Sequence, residues 1–222
     1  MSRQIFIGLI SEGTTDNRFL ESIVTRTFDD IGFECNGEVE TEVKVISIDK
    51  TGKGFTDQVI EASKKGVTDY GIMVLCVHTD SDNVHDTIMF NNKINPAQEA
   101  LNTKDENFCK ILTPIVPIQM IEAWMLADKE LLKSEIGTNK SDLELGINRK
   151  PESIANPKNV IEDAIRIARS EFTSRRRKDL KISELYLPIG QKMQLEYLDS
   201  LGSYKKFKES IRIAYRNLNF MQ

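Results

Sequence analysis

The sequence predicts an α/β fold: a parallel sheet of about four strands flanked by helices, with a helical extension at the C-terminal end. Three observations carry that reading. Short apolar runs alternate with stretches whose apolar residues recur at helical spacing, which implies parallel strands joined by crossover helices. Glycines stand where these segments end. After Gly146 the strand-like runs cease and only helical patterns follow.

Each element has its own signal. "RQIFIGLIS" (3 to 11) is short and rich in isoleucine, as a buried strand should be. Phe19, Leu20, Ile23, Val24 and Phe28 then share one helical face, and Gly32 closes it. "ETEVKVISID" (40 to 49) alternates on Val43, Val45 and Ile48, and the glycine turn "DKTGKGF" leads into a helix through "TDQVIEASKKG". "YGIMVLCVHTDSD" (70 to 82) is the most apolar run and the predicted central strand. A short helix near 96 to 102, a strand in "FCKILTPIVP" and a helix through "QMIEAWMLADKELLKSEIG" complete a core over residues 1–146. Residues 147–222 form the extension, with helices predicted from Pro157, through "QKMQLEYLDSLG" and through "YKKFKESIRIAYRNL". The stretch 137 to 156, holding Gly137, Gly146, Pro151 and Pro157, is the expected seam.

Composition narrows the class. At 40% hydrophobic and 29% charged residues the chain is expected to be globular, and it has no run of 18 apolar residues to suggest a membrane segment. Cys35, Cys76 and Cys109 are odd in number and far apart, which fits a reducing cytoplasm and offers neither disulfide framework nor zinc knuckle. Charge is uneven. Residues 1 to 150 hold 16 Lys and Arg against 25 Asp and Glu, while residues 151 to 222 hold 14 against 9. The basic excess peaks at Arg175, Arg176, Arg177 and Lys178, a candidate nucleic-acid contact through phosphate charge. A solvated helix face explains the same residues equally well.

The acids carry the chemistry. Glu12 follows the first strand, and Asp80 and Asp82 follow the central one. Ligands of open parallel sheets sit outside the carboxyl ends of strands. If the two strands are neighbours, three carboxylates meet at one sheet edge, where like charges call for a cation. Oxygen donors without a histidine or cysteine cluster favour Mg²⁺ or Mn²⁺ over zinc. In D-x-D, residues two apart on an extended segment share a side. Either motif alone is an ordinary turn or helix cap; their common placement is the argument.

Strand, "SEGTTD", helix, and a later strand running into "DSD" resemble the Toprim domain of topoisomerases, primases, recombination mediators and overcoming-lysogenization-defect nucleases. The closer likeness is to small stand-alone Toprim-like proteins, whose "IEAWMLAD" helix (121 to 128) and C-terminal aromatic helix "GSYKKFKESI" (202 to 211) are both present. Tyr204 stands where an earlier aromatic is usual. The resemblance implies a Rossmann-like core, Glu12 as the family glutamate, Asp80 and Asp82 as Mg²⁺ ligands and Gly13 as the turn glycine. Glu122, opening a helix after the fourth strand, joins as a candidate ligand, and Asp16, four residues after Glu12, as a candidate for a second ion. Both are also ordinary first-turn acids. Two ions would clamp the attacking and leaving oxygens of phosphodiester hydrolysis.

"TGKGF" (51 to 55) lacks the spacing of a P-loop. Lys53 within it is a candidate for a scissile phosphate, with turn chemistry as the rival account. His78 and His85 carry no assignment. No serine or cysteine with a paired base argues for acyl transfer. The resemblance therefore implies a metal-dependent nuclease acting on DNA or RNA, an effector of phage defence paired with an overcoming-lysogenization-defect-type or ABC-type ATPase. A homo-oligomer is compatible with this, and no membrane partner is expected. The rival expectations are a stand-alone RNA-processing nuclease and a non-catalytic module that binds nucleic acid or an ATPase.

Overall fold

A computed structural model describes residues 2–170 and 180–222. It contains a four-stranded, all-parallel sheet of order β2-β1-β3-β4, with β1 at Arg3–Ile10, β2 at Val39–Val45, β3 at Val74–His78 and β4 at Leu112–Ile115. The two strands that lead to the acids are neighbours, Ile7 pairing with Val74 and Ile10 with Val77. Both are buried on two faces, which explains their unbroken apolar character. The edges differ: β2 reads "VETEVKV", and β4 contains Pro114, which cannot donate to a further strand.

Two apolar layers flank the sheet. Ile5, Ile7, Leu9, Val74 and Cys76 face a large cluster supplied by α1 (Thr14–Gly32) and by helices from the second half of the chain. Gly8, Leu75 and Val77 face the other side, where α2 (Phe55–Tyr70) packs with α4 (Asn95–Asn102). α4 continues a helical stretch begun by α3 (Thr87–Met89) and one π-helical turn, Phe90–Ile94.

After β4 the described residues form helices joined by turns and loops, with no further strand. α5 (Glu122–Met125), α6 (Lys129–Ile136), α7 (Pro157–Arg169), α8 (Tyr186–Lys192), α9 (Leu195–Leu198) and α10 (Gly202–Asn217) cover the α1 face. The predicted long helix from Gln119 is two, because Asp128 stops one turn and caps the next, its carboxylate accepting from the Leu131 N–H at 2.9 Å. The helix expected over 191 to 202 is likewise divided: Met193 is extended (ψ 131°), leaving only the α9 turn before α10. Among the described residues no helix is long and apolar enough to cross a membrane.

One close approach fixes α8. A Cβ on Gly190 would lie 2.5 Å from the Phe19 carbonyl oxygen and 2.8 Å from its Cα, so α8 rests directly on the backbone of α1. Arg26 of α1 donates to the carbonyls of Gly190 and Met193, both at 2.6 Å, satisfying the end of α8. Gly190→Ala should therefore cost about 1–3 kcal/mol through overpacking against rigid backbone. Equilibrium urea denaturation checks this, and wild-type stability would show that α8 can lift freely.

Candidate active site at the carboxyl ends of β1 and β3

β1 feeds α1 on one face of the sheet, and β3 feeds the α3–α4 stretch on the other. The crevice between them is a topological switch point, where the chain leaves in opposite directions and backbone alone opens a cleft. Glu12, Asp16, Asp80, Asp82 and Glu122 all belong to it.

Glu12 lies in the turn into α1. Its carboxylate accepts from Thr79 Oγ1 at 2.5 Å and from Lys93 Nζ at 3.3 Å. Asp16, at the third position of α1, accepts from the Gly13 N–H at 2.8 Å and so closes the helix start. Asp80 accepts from the Ile121 N–H at 2.9 Å, which ties the end of β3 to the loop before α5. Glu122 is 4% exposed and accepts from the Tyr186 hydroxyl at 2.5 Å.

His78 lies between the acids. It is 1% exposed, with Nε2 3.2 Å from Asp80 Oδ1 and Nδ1 3.7 Å from Asp16 Oδ2. Neither ring nitrogen has an aligned hydrogen bond. Burial pulls its pKa down, but the Asp80, Asp16 and Glu12 carboxylates prevail and the net shift is upward. The acids respond in the same sense. Burial raises Asp16, with His78 and the Gly13 N–H opposing and Asp80 and Glu12 adding to the rise. Burial raises Glu122 too, opposed by the Tyr186 bond and reinforced by Asp80. Asp82 is raised by desolvation, then by Asp80 and Glu12, with Lys93 opposing. These groups share one field, and it is negative.

The loops after β3 and β4 are laced together. Thr79, Ser81 and Asp82 N–H groups donate to the carbonyls of Ile115, Pro117 and Gln119, and the Gln119 N–H returns to Asn83. Asp82 (φ 49°) and Gln119 (φ 63°) both adopt left-handed backbone to achieve this. The D-x-D segment is thus not extended at its second aspartate, contrary to the expectation from spacing. Asp82 is exposed, while Asp80 is half-buried.

Lys53 pairs with Glu61 at 2.5 Å, and the structure does not bring it to Glu12. Lys50 stands there instead, donating to the backbone carbonyls of Ser11 and Glu12. Lys93 approaches from the π-helical turn and also donates to Thr79 Oγ1 at 2.9 Å. Such turns recur at functional sites because they re-aim a side chain. Sequence reading also missed Tyr186 and Thr79. Tyr186 had no local signal, since it arrives from the helical extension.

The donor chemistry fits a hard divalent cation: carboxylate oxygens around a net negative, partly dry crevice. Among the described residues, however, no three His, Cys, Asp or Glu side chains are gathered closely enough to ligate one ion. The carboxylates of Glu12, Asp16, Asp80 and Glu122 rest on Thr79, Lys93, Gly13, Ile121 and Tyr186. Arg175, Arg176, Arg177 and Lys178 lie outside the described residues. No family model, curated protein or solved structure matches the chain.

Proposed function

We propose that this protein is a Toprim-type, divalent-metal-dependent nuclease that hydrolyses phosphodiester bonds of DNA or RNA, serving as a phage-defence effector with a partner ATPase. One observation carries the reading: five acids from three chain segments lie where the parallel strands β1 and β3 end, near a buried histidine. Glu12, Asp80 and Asp82 are the residues we assign to Mg²⁺ or Mn²⁺, with Asp16 and Glu122 beside them; to share one ion the three side chains would have to draw closer together than they stand. The ion supplies charge neutralisation at the phosphoryl oxygens and an acidified water. Glu12, with its side chain 44% exposed, is the group we assign to proton transfer. Tyr186 and Ile121 hold Glu122 and Asp80 in position.

The engagement of four of the five carboxylates by protein donors favours a second reading, a non-catalytic module that binds nucleic acid or an ATPase. Cleavage of plasmid, single-stranded DNA and total tRNA with Mg²⁺ or Mn²⁺ separates the two, comparing wild type with Glu12→Gln. Loss of wild-type cleavage in Glu12→Gln is expected. Cleavage that persists undiminished in the variant would remove the site from the chemistry.

A further inference from the structure

Beside Glu12 lies a recess of about 340 Å³ on the α2 side of the sheet, distinct in charge from the acid cluster. Its charged groups are Lys50, Lys93 and Glu12, two ammoniums against one carboxylate. Lys50 spends two donors on the Ser11 and Glu12 carbonyls, and Lys93 spends two on Glu12 and Thr79. An ammonium has three donors, so each keeps one. α2, a 16-residue helix, begins beside this recess with Gly54 as its N-cap and Asp57 in its first turn, the Asp57 carboxylate lying close to Gly54. Asp57 already answers the helix dipole, so an anion in the recess falls to the two lysines. Phe55 lines the wall as a partly buried ring, held 5.5 Å from the Lys93 ammonium.

Two lysines with a spare donor each and an aromatic ring are elements of a nucleotide site. The volume is at the small end of the roughly 300–1,000 Å³ typical of ligand pockets, enough for one nucleotide and too little for a base pair. We propose that the recess is a nucleotide subsite holding one nucleoside monophosphate unit of a single strand. Its phosphate lies against Lys50 and Lys93, and its base stacks on Phe55. This deepens the nuclease reading and rests on it for the strand as ligand. It also gives work to the "TGKGF" turn, whose fold presents Phe55, although Lys53 itself is turned to Glu61.

The test is calorimetric titration of metal-free wild type with adenosine 5′-monophosphate, adenosine and inorganic phosphate, followed by competition with a single-stranded trinucleotide. The monophosphate should bind, adenosine and phosphate alone should each bind at least about ten-fold more weakly, and the trinucleotide should compete. Lys50→Met and Lys93→Met should each weaken the monophosphate about ten-fold, the scale of one charged hydrogen bond. Phe55→Leu should do the same by losing stacking, while Phe55→Tyr keeps a ring and should restore affinity. Phosphate binding as tightly as the monophosphate, or indifference to Phe55→Leu, would overturn the nucleotide assignment. Failure of the trinucleotide to compete would overturn the strand as ligand. Absence of all binding, in a chain whose cleavage Glu12→Gln abolishes, would sink the subsite and leave the nuclease standing. Monophosphate binding with this residue dependence in a chain that never cleaves would sink the nuclease alone.

Discussion

Asp80→Asn should lower metal-dependent cleavage by about 10²–10³-fold, the scale of losing one preorganised electrostatic contact at a transition state. It should do so without unfolding the chain. Asp80 Oδ1 is an acceptor for the Ile121 N–H, and an asparagine oxygen can accept the same bond, so the tie between the β3 and β4 loops survives. Asp80→Ala removes that acceptor as well and leaves a backbone donor unpaired, at a further cost of about 1–3 kcal/mol. The pair of variants thus separates chemistry from structure. Thermal denaturation supplies the second readout. With Mg²⁺ a hundred-fold above its Kd, wild type should gain about 2.7 kcal/mol of stability by mass action, and Asp80→Asn should lose most of that gain. Wild-type cleavage in Asp80→Asn would sink the proposed site. Cleavage by neither protein, with the Mg²⁺ stabilisation present only in wild type, would favour the binding module or an effector that awaits its ATPase.

Asp80 was legible because its position follows from topology. A run as apolar as "MVLCV" belongs in a buried parallel strand, and the residues just past such a strand face the crevice. The same reasoning placed Glu12, and the observed pairing of β1 with β3 supplies the adjacency that it required. Local rules failed where distant parts of the chain decide. Lys53 drew notice because it sits inside the glycine-rich turn, yet it pairs with Glu61, and Lys50, which carried no signal of its own, is the lysine that reaches the Ser11 and Glu12 backbone. Lys93 depends on a π-helical turn, a departure from the 3.6-residue period that periodicity cannot register. Tyr186 reaches Glu122 across 64 residues because Gly190 lets α8 touch α1. No sequence window holds both facts. Boundaries failed for a simpler reason: Asp128 reads as one more polar helix residue until its carboxylate is seen to cap Leu131.

Trp124→Ala is expected to be the most destabilising single substitution in the chain, costing about 3–5 kcal/mol, as usual for a fully buried aromatic. Trp124 is 0% exposed and packs edge-on to Tyr204 at 5.3 Å and tilted to Phe207 at 6.3 Å. Its indole N–H donates to Ser203 Oγ at 2.8 Å, and Ser203 Oγ donates to Glu152 Oε1 at 2.6 Å. Glu152 in turn accepts from the Gly202 and Ser203 N–H groups, both at 2.9 Å, and so caps α10. Truncation would leave a cavity and release this chain of bonds together. For a protein of this length the loss corresponds to roughly 6–20 °C in Tm, at about 2–4 °C per kcal/mol. Trp124→Phe retains most of the volume and should fall by less, with the Ser203 hydroxyl now short of one partner. The prediction bears on architecture because Trp124 precedes the seam near 137 to 156 and all its partners follow it. If residues 1–146 and 147–222 share one core, both variants should melt in a single cooperative step at lower temperature. A melt in two steps, only one of them moved by Trp124→Ala, would mean that the sheet and the helical extension fold separately. In that case α8 would not be bound to hold Tyr186 against Glu122, and the acid cluster would lose the contact that most restricts its innermost carboxylate.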